Sequence, residues 1–262
     1  MHIGIVGKYF NFKSCKDTYI SVIESINHAA WTEGYKPKIL WLDTEKYEND
    51  SSKLRELSLL DGIIIPGGFG KRGTEGMMLA ANYARENKIP YFGLCLGMQI
   101  MTLAFARNVL GLKDANSTEF NPNTPDPVIA TMQDQVEKIK NKNYGATMRL
   151  GAYTCTLKPG TVAFEAYLSA KALASVGGKK NITERHRHRY EVNNAYVKRL
   201  EEAGLVFSGV YTEGNLMEIA ELPKSAHPFM LGTQFHPEFL SRPLKPHPLF
   251  SAFIKASIKN KK

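Results

Sequence analysis

Short apolar runs alternate with helical periodicity through the first half of this 262-residue chain. Ile3-Gly4-Ile5-Val6-Gly7 predicts a buried strand, and Thr18–Trp31 an amphipathic helix with Ile20, Ile23, Ile26 and Ala30 along one side. Lys38–Leu42 reads as a second strand and Leu54–Leu60 as a short helix. The run from Asp61 through Ile63-Ile64-Ile65 to Gly67-Gly68 is a third strand ending in a glycine turn. Thr74–Asn87 reads as helix, Tyr91–Leu94 as strand and Gly97–Val109 as helix. Strands that are apolar throughout and alternate with helices predict a mostly parallel central sheet covered on both faces, an α/β fold of the doubly wound kind. Functional groups then gather beyond the carboxyl ends of the strands, where the Gly67-Gly68 turn and Cys95 both fall.

The second half is patterned differently. Val128–Met132, Thr147–Leu157, Arg185–Val192, Val206–Tyr211, Asn215–Glu221 and Met230–Gln234 predict short strands separated by turns such as Thr212-Glu213-Gly214-Asn215. This is a small antiparallel extension of the same domain, closed by a helix at about His247–Lys259. Pro122–Pro127 reads as a loop and Ala170–Lys180 as a polar surface insertion. The Val176-Gly177-Gly178-Lys179-Lys180 stretch within it lacks the spacing of a phosphate loop.

Composition narrows the class. With 43% hydrophobic and 23% charged residues the chain is globular, and 262 residues fit one large α/β domain or two small ones. No stretch approaches the roughly eighteen apolar residues of a membrane span, so no membrane partner is expected. Three cysteines, Cys15, Cys95 and Cys155, form neither a disulfide framework nor a metal pair, which predicts a reduced, cytoplasmic setting. The net charge of +9 is carried by scattered lysines without a reader helix or stacking motif, so no nucleic-acid partner is expected either.

The candidate chemistry centres on Gly93-Leu94-Cys95-Leu96-Gly97. An apolar strand runs into a thiol bracketed by glycines, and a helix follows at once, the sequence form of a nucleophile elbow. The helix N-terminus directs backbone N–H groups at the sulfur and favours thiolate. A buried structural cysteine at a strand end is the alternative. A base and its orienter are offered by His236-Pro237-Glu238, where Glu238 can accept from the far imidazole nitrogen. Oxyanion donors would be the Leu96 N–H and the Gly67-Gly68 turn. In Arg185-His186-Arg187-His188-Arg189-Tyr190, alternation predicts arginines on one face of a strand and the histidines with Tyr190 on the other. At least one face is suited to an anion, a solvated edge strand being the alternative. A metal site on His186 and His188 lacks a third ligand of suitable spacing, so no metal is expected.

Together these segments resemble the class I (triad) glutamine amidotransferases, and more narrowly the C-terminal glutaminase domain of CTP synthases. The likeness is carried by Gly4-Ile5-Val6-Gly7-Lys8-Tyr9, Pro66-Gly67-Gly68-Phe69-Gly70, Gly93 through Gln99, Asn116 through Phe120, Met148-Arg149-Leu150-Gly151, Arg185 through Asn193 and Gln234 through Phe239. It implies a flavodoxin-like fold, with Cys95 as nucleophile, His236 as base and Glu238 as its orienter. By the same resemblance Gly68, Phe69, Leu96, Gly97, Met98, Gln99, Glu119 and Arg189 hold glutamine, with Glu119 facing the α-ammonium and Arg189 the α-carboxylate. Gly67, Gly68 and Leu96 form the oxyanion hole. The loop at Arg72 is associated with allosteric activation by GTP.

The implied reaction is hydrolysis of L-glutamine to glutamate and ammonia through a glutamyl thioester. No cofactor is expected within residues 1–262. ATP, UTP and Mg2+ belong to an amidoligase domain that makes CTP, and the chain reads as a domain excised from such an enzyme or as a separate subunit. The resemblance implies that the amidoligase domain is its partner and that the full enzyme is a homo-oligomer, a tetramer. A related cysteine hydrolase acting on γ-glutamyl substrates, or a docking module inactive when isolated, are the competing readings.

Overall fold

The computed structural model describes residues 1–8, 17–131, 148–170, 174–176 and 179–261. Tyr9, Cys15, Met132, Thr147, Gly177 and Gly178, each part of an expectation above, lie outside the described residues.

The first half folds as the hydrophobic pattern predicts. Strands β1 (His2–Gly7), β2 (Lys38–Asp43), β3 (Gly62–Ile65) and β4 (Tyr91–Leu94) alternate with helices α1 (Ile20–Thr32), α2 (Glu45–Asn49), α3 (Thr74–Glu86) and α4 (Leu96–Asn108). The segment read as a helix at Leu54–Leu60 is a 3-10 helix, Ser51–Leu59, capped by the Asp50 carboxylate accepting from Ser52 N. In β3, Ile63 and Ile65 join the apolar layer under α3 and α4, while Ile64 joins the layer under α1 and the terminal helix. An apolar residue at every position is what a strand covered on both faces requires.

The remaining strands are β5 (Ala115–Ser117), β6 (Asp126–Thr131), β7 (Arg149–Leu157), β8 (Ala174–Val176), β9 (Lys179–His188), β10 (Tyr190–Val192), β11 (Val206–Tyr211), β12 (Leu216–Glu221) and β13 (Met230–Thr233). Helices α5 (Val162–Ser169), α6 (Asn194–Glu202) and α7 (Pro248–Lys259) complete the order. One ten-stranded sheet runs β2-β1-β3-β4-β13-β12-β11-β7-β9-β8. It is parallel from β2 through β13 and antiparallel from there to β8. The antiparallel extension therefore continues the central sheet and is about as broad as the parallel part. A three-stranded sheet, β10-β6-β5, stands apart from it.

Two local readings change. The run Arg185–Val192, expected as one strand, divides at Arg189: β9 pairs with β7 in the large sheet, and β10 pairs with β6 in the small one. The expected surface insertion at Ala170–Lys180 contributes β8 and the start of β9, an antiparallel pair at the sheet edge.

The order of the parallel strands positions the site. β13, the last strand in the chain, pairs with β4, Thr233 opposite Leu94, and β4 pairs with β3, Ile65 opposite Gly93. The carboxyl ends of three neighbouring strands therefore deliver the Gly67-Gly68 turn, Cys95 and the Gln234–Glu238 segment to one place.

Candidate active site

Cys95 stands between β4 and α4 with φ +51° and ψ −98°, a conformation that residues with a Cβ seldom adopt. The tightness comes from glycines. A Cβ on Gly97 would lie 2.1 Å from the Ile65 carbonyl oxygen, and one on Gly93 would lie 2.5 Å from the Gly97 carbonyl carbon. Only glycine lets α4 begin directly against the strand ends. Tyr91 fastens the turn by donating from its buried hydroxyl to Gly97 O at 2.7 Å, and Cys95 N donates to Thr233 O at 2.7 Å. Leu96 is the first helical residue and directly follows Cys95, so its N–H has no acceptor within the helix.

His236 follows β13, where its N–H donates to Arg185 O at 2.8 Å. Pro237–Phe239 form one 3-10 turn, and this turn brings the Glu238 carboxylate back to the imidazole: Nδ1 and Oε1 are 2.7 Å apart. The Phe239 ring stacks on the imidazole, centroids 4.8 Å apart and planes within 9°. Burial works against a charged imidazole here, but the Glu238 carboxylate and then the Cys95 sulfur outweigh it, and the His236 pKa stands well above the usual histidine range. The other ring nitrogen, Nε2, is buried without a hydrogen-bond partner of regular geometry. A Cβ on Gly67 would meet His236 Cε1 at 3.0 Å and Cys95 Cβ at 3.7 Å, so the glycine turn lies against both residues.

These groups share one cleft of about 240 Å³, lined among others by Gly67, Gly68, Phe69, Cys95, His236 and Glu238. Leu96, Gly97 and Met98 are buried in the first turn of α4. Glu119 and Arg189 do not line the cleft. Glu119 Oε1 accepts from the Gly70 N–H at 2.8 Å, one residue beyond the cleft-lining Phe69. Burial raises the Glu119 pKa, against the pull of that N–H, of Lys8 and of Arg189. Gln99 is buried with its amide nitrogen committed to the protein, donating to Tyr190 O at 3.0 Å and Gln234 Oε1 at 3.2 Å. Arg72 lies outside the cleft, donating to Lys8 O at 2.6 Å and paired with Glu45 at 3.3 Å.

Sequence reasoning misses several groups. Lys8 donates its ammonium to Gly70 O, and burial brings its pKa down to about 8 despite Glu119. Tyr19 and Arg187 line the cleft. Behind His236 the fold also assembles a buried ionic network. Arg149 donates to Glu218 Oε1 at 2.7 Å and to Glu191 Oε1 at 3.2 Å, and His186 Nδ1 lies 2.9 Å from His188 Nε2. Burial depresses the His186 pKa to about 3, Arg149 and His236 adding to it, and raises that of Glu218 to about 7 against Arg149. Glu218 supplies the third oxygen or nitrogen ligand that spacing alone did not offer, its ligand atom within 4.8 Å of those of His186 and His188. The Arg149 guanidinium is bonded to the same carboxylate through Glu218 Oε1.

The family model for glutamine amidotransferase class-I matches residues 14–256. The chain belongs to the class-I glutamine amidotransferases. Curated relatives of this amidotransferase include a CTP synthase of Methanococcoides burtonii, 51% identical over the whole chain, and one of Carboxydothermus hydrogenoformans, 52% identical over 99% of it. The chain spans 45% of the length of each. Among solved structures, the glutaminase domain of Trypanosoma brucei CTPS with bound acivicin is 38% identical with a TM-score of 0.87, covering 99% of this chain and 94% of that one. A glutamine amidotransferase of Methylobacillus flagellatus, 11% identical with a TM-score of 0.52 over 99% of this chain and 95% of that one, shares the fold. The amidotransferase is thus similar over nearly its whole length to the glutaminase domain of a CTP synthase. No helix among the described residues is long and apolar enough to cross a membrane.

Proposed function

We propose that this amidotransferase hydrolyses L-glutamine to glutamate and ammonia, with Cys95, His236 and Glu238 as the catalytic triad. The observation that carries the reading is the 2.7 Å contact of His236 Nδ1 with Glu238 Oε1 in the cleft that also holds the Cys95 elbow. The arrangement meets the requirements of a nucleophile, a base and a group that fixes the base.

With Nδ1 committed to Glu238, the imidazole serves the sulfur and substrate through Nε2. The Cys95 thiolate attacks the side-chain amide carbon of glutamine, and the developing oxyanion is received by N–H groups at Leu96 and the Gly67-Gly68 turn. The C–N bond breaks as His236 Nε2–H gives its proton to the leaving nitrogen, releasing ammonia and leaving a glutamyl thioester. His236 then takes a proton from water, whose oxygen attacks the thioester carbonyl. Glutamate departs and the thiolate–imidazolium pair is restored. Glu119 and Arg189 complement the α-ammonium and α-carboxylate of a free amino acid.

In the full-length enzyme the ammonia would aminate UTP to CTP, with ATP and Mg2+ bound by the amidoligase portion of a homo-oligomer in the cytoplasm. GTP would act as an activator through the loop near Arg72. The test is ammonia release from glutamine, with γ-glutamyl peptide as the contrasting substrate. Release abolished by Cys95→Ala supports the reading. Release that persists in Cys95→Ala, or hydrolysis of the peptide in place of glutamine, refutes it.

A further inference from the structure

Gln234 connects the nucleophile to the small sheet, and neither the triad nor the glutamine-holding set includes it. It lies at the end of β13 and is fully buried, with its backbone N–H donating to Glu218 O at 2.8 Å. Its side-chain Nε2 donates to Cys95 Sγ at 3.6 Å. Its Oε1 accepts from Gln99 Nε2 at 3.2 Å, and that same nitrogen donates to Tyr190 O at 3.0 Å.

A primary amide has one acceptor oxygen and one donor nitrogen. Gln99 fills the oxygen of Gln234 with a donor, and Gln99 is itself held by a backbone carbonyl that can only accept. Gln99 Nε2 therefore donates both to Tyr190 O and to Gln234 Oε1, which leaves Gln234 Nε2 as the donor, its N–H aimed at sulfur. A donor aimed at a buried sulfur stabilises the anion over the thiol. From these bonds we propose that Gln234 is a positioning and charge-stabilising residue that holds Cys95 as thiolate, with Gln99 setting the direction of its amide. The inference rests on Cys95 being the nucleophile. It assigns Gln99 a task inside the protein in addition to any contact with glutamine.

The experiment measures alkylation of Cys95 by iodoacetamide against pH, together with the pH dependence of kcat/KM for glutamine, in the wild type, Gln234→Leu and Gln234→Glu. Leu removes the donor. Glu keeps the shape and places an acceptor, or a negative charge, against the sulfur. The expected result is a rise of the alkylation midpoint by about one pH unit for Leu, a roughly tenfold smaller thiolate fraction below the midpoint, and a larger rise for Glu. The kcat/KM profile moves with it, so that raising the pH returns activity to Gln234→Leu. A merely structural role would lower activity at every pH and leave the midpoint in place. Unchanged midpoints in either variant that folds overturn the proposal. Activity that survives Cys95→Ala instead removes the reading beneath it, and the two failures are told apart by that variant.

Discussion

His236 Nδ1 lies 2.7 Å from Glu238 Oε1, a carboxylate only two residues further along the chain. The contact is local because Pro237, beyond the end of β13 at Thr233, starts one 3-10 turn that brings the carboxylate back to the ring. The Phe239 ring stacked on the imidazole leaves the ring little freedom to rotate. An imidazole oriented by its own neighbours needs no distant element to hold its tautomer.

Glu238→Gln is expected to lower kcat for glutamine hydrolysis by about 100-fold or more, since it removes the negative charge that supports the imidazolium and adds an amide donor that can select the wrong tautomer. KM should change little. The His236 pKa, followed by imidazole NMR, should fall in this variant and also in Cys95→Ala, because both the carboxylate and the sulfur hold it up. An unmoved His236 titration in both variants would contradict the electrostatic account.

Gly97→Ala should destabilise the fold, by about 1–3 kcal/mol of overpacking, because the added methyl meets the Ile65 backbone carbonyl at 2.1 Å. The helix must retreat from the strand, and its first turn carries Leu96 N–H away from the sulfur. Urea unfolding gives the stability loss, and glutaminase activity of the folded fraction should fall as well. Full activity with wild-type stability would show that the elbow is not held by this close approach.

The elbow and the His236–Glu238 pair are legible in the sequence because each is local: an apolar strand, a glycine-bracketed thiol and a helical pattern lie within a few residues. The division of Arg185–Val192 is not. His186 and His188 are buried by Glu218, Glu191 and Arg149, residues that approach only after the sheet forms, and Tyr190 leaves for a different sheet. Helix α5 is hidden because Val162, Phe164 and Tyr167 suit a strand as well as a helix. The signal that could reveal it is Thr161, whose side chain accepts from Phe164 N as a cap. Helix α6 carries a similar mark in Asn193, which caps Ala195 N, and in the Lys198–Glu202 pair one turn apart. Gln234 gives no signal, since its meaning lies in the atoms that surround it.

Arg149→Met should be among the most destabilising single changes away from the cleft. It leaves the Glu218 and Glu191 carboxylates buried without their guanidinium, a loss of about 3–5 kcal/mol by comparison with other broken buried pairs. Arg149 lowers the Glu218 pKa, so removing it raises that value above about 7. A carboxylate with a raised native pKa binds its proton more tightly in the folded state than in the unfolded one. Stability then falls as pH climbs from the unfolded carboxylate range toward the native pKa. The variant should therefore lose more stability at about pH 8 than at about pH 5 in urea titrations, and an equal loss at both would contradict this assignment.

Arg189→Ala and Glu119→Gln should each raise KM for glutamine by about 10- to 100-fold, the range for a charge-assisted contact, with a smaller effect on kcat. Steady-state kinetics separates the two parameters. A fall confined to kcat would place these residues in the chemistry rather than in recognition of the amino acid.

Everything proposed for the cleft depends on Cys95 carrying the glutamyl group. The most direct measurement is reaction of the chain with a glutamine-like diazo-ketone, followed by mass spectrometry of the peptides. One adduct is expected, on Cys95, suppressed by excess glutamine. Burial, with Glu218 and Glu184, pushes the Cys155 thiol far above its usual range, so it should stay unlabelled. An adduct on Cys155 or Cys15, or none on Cys95 in folded protein, would contradict that role.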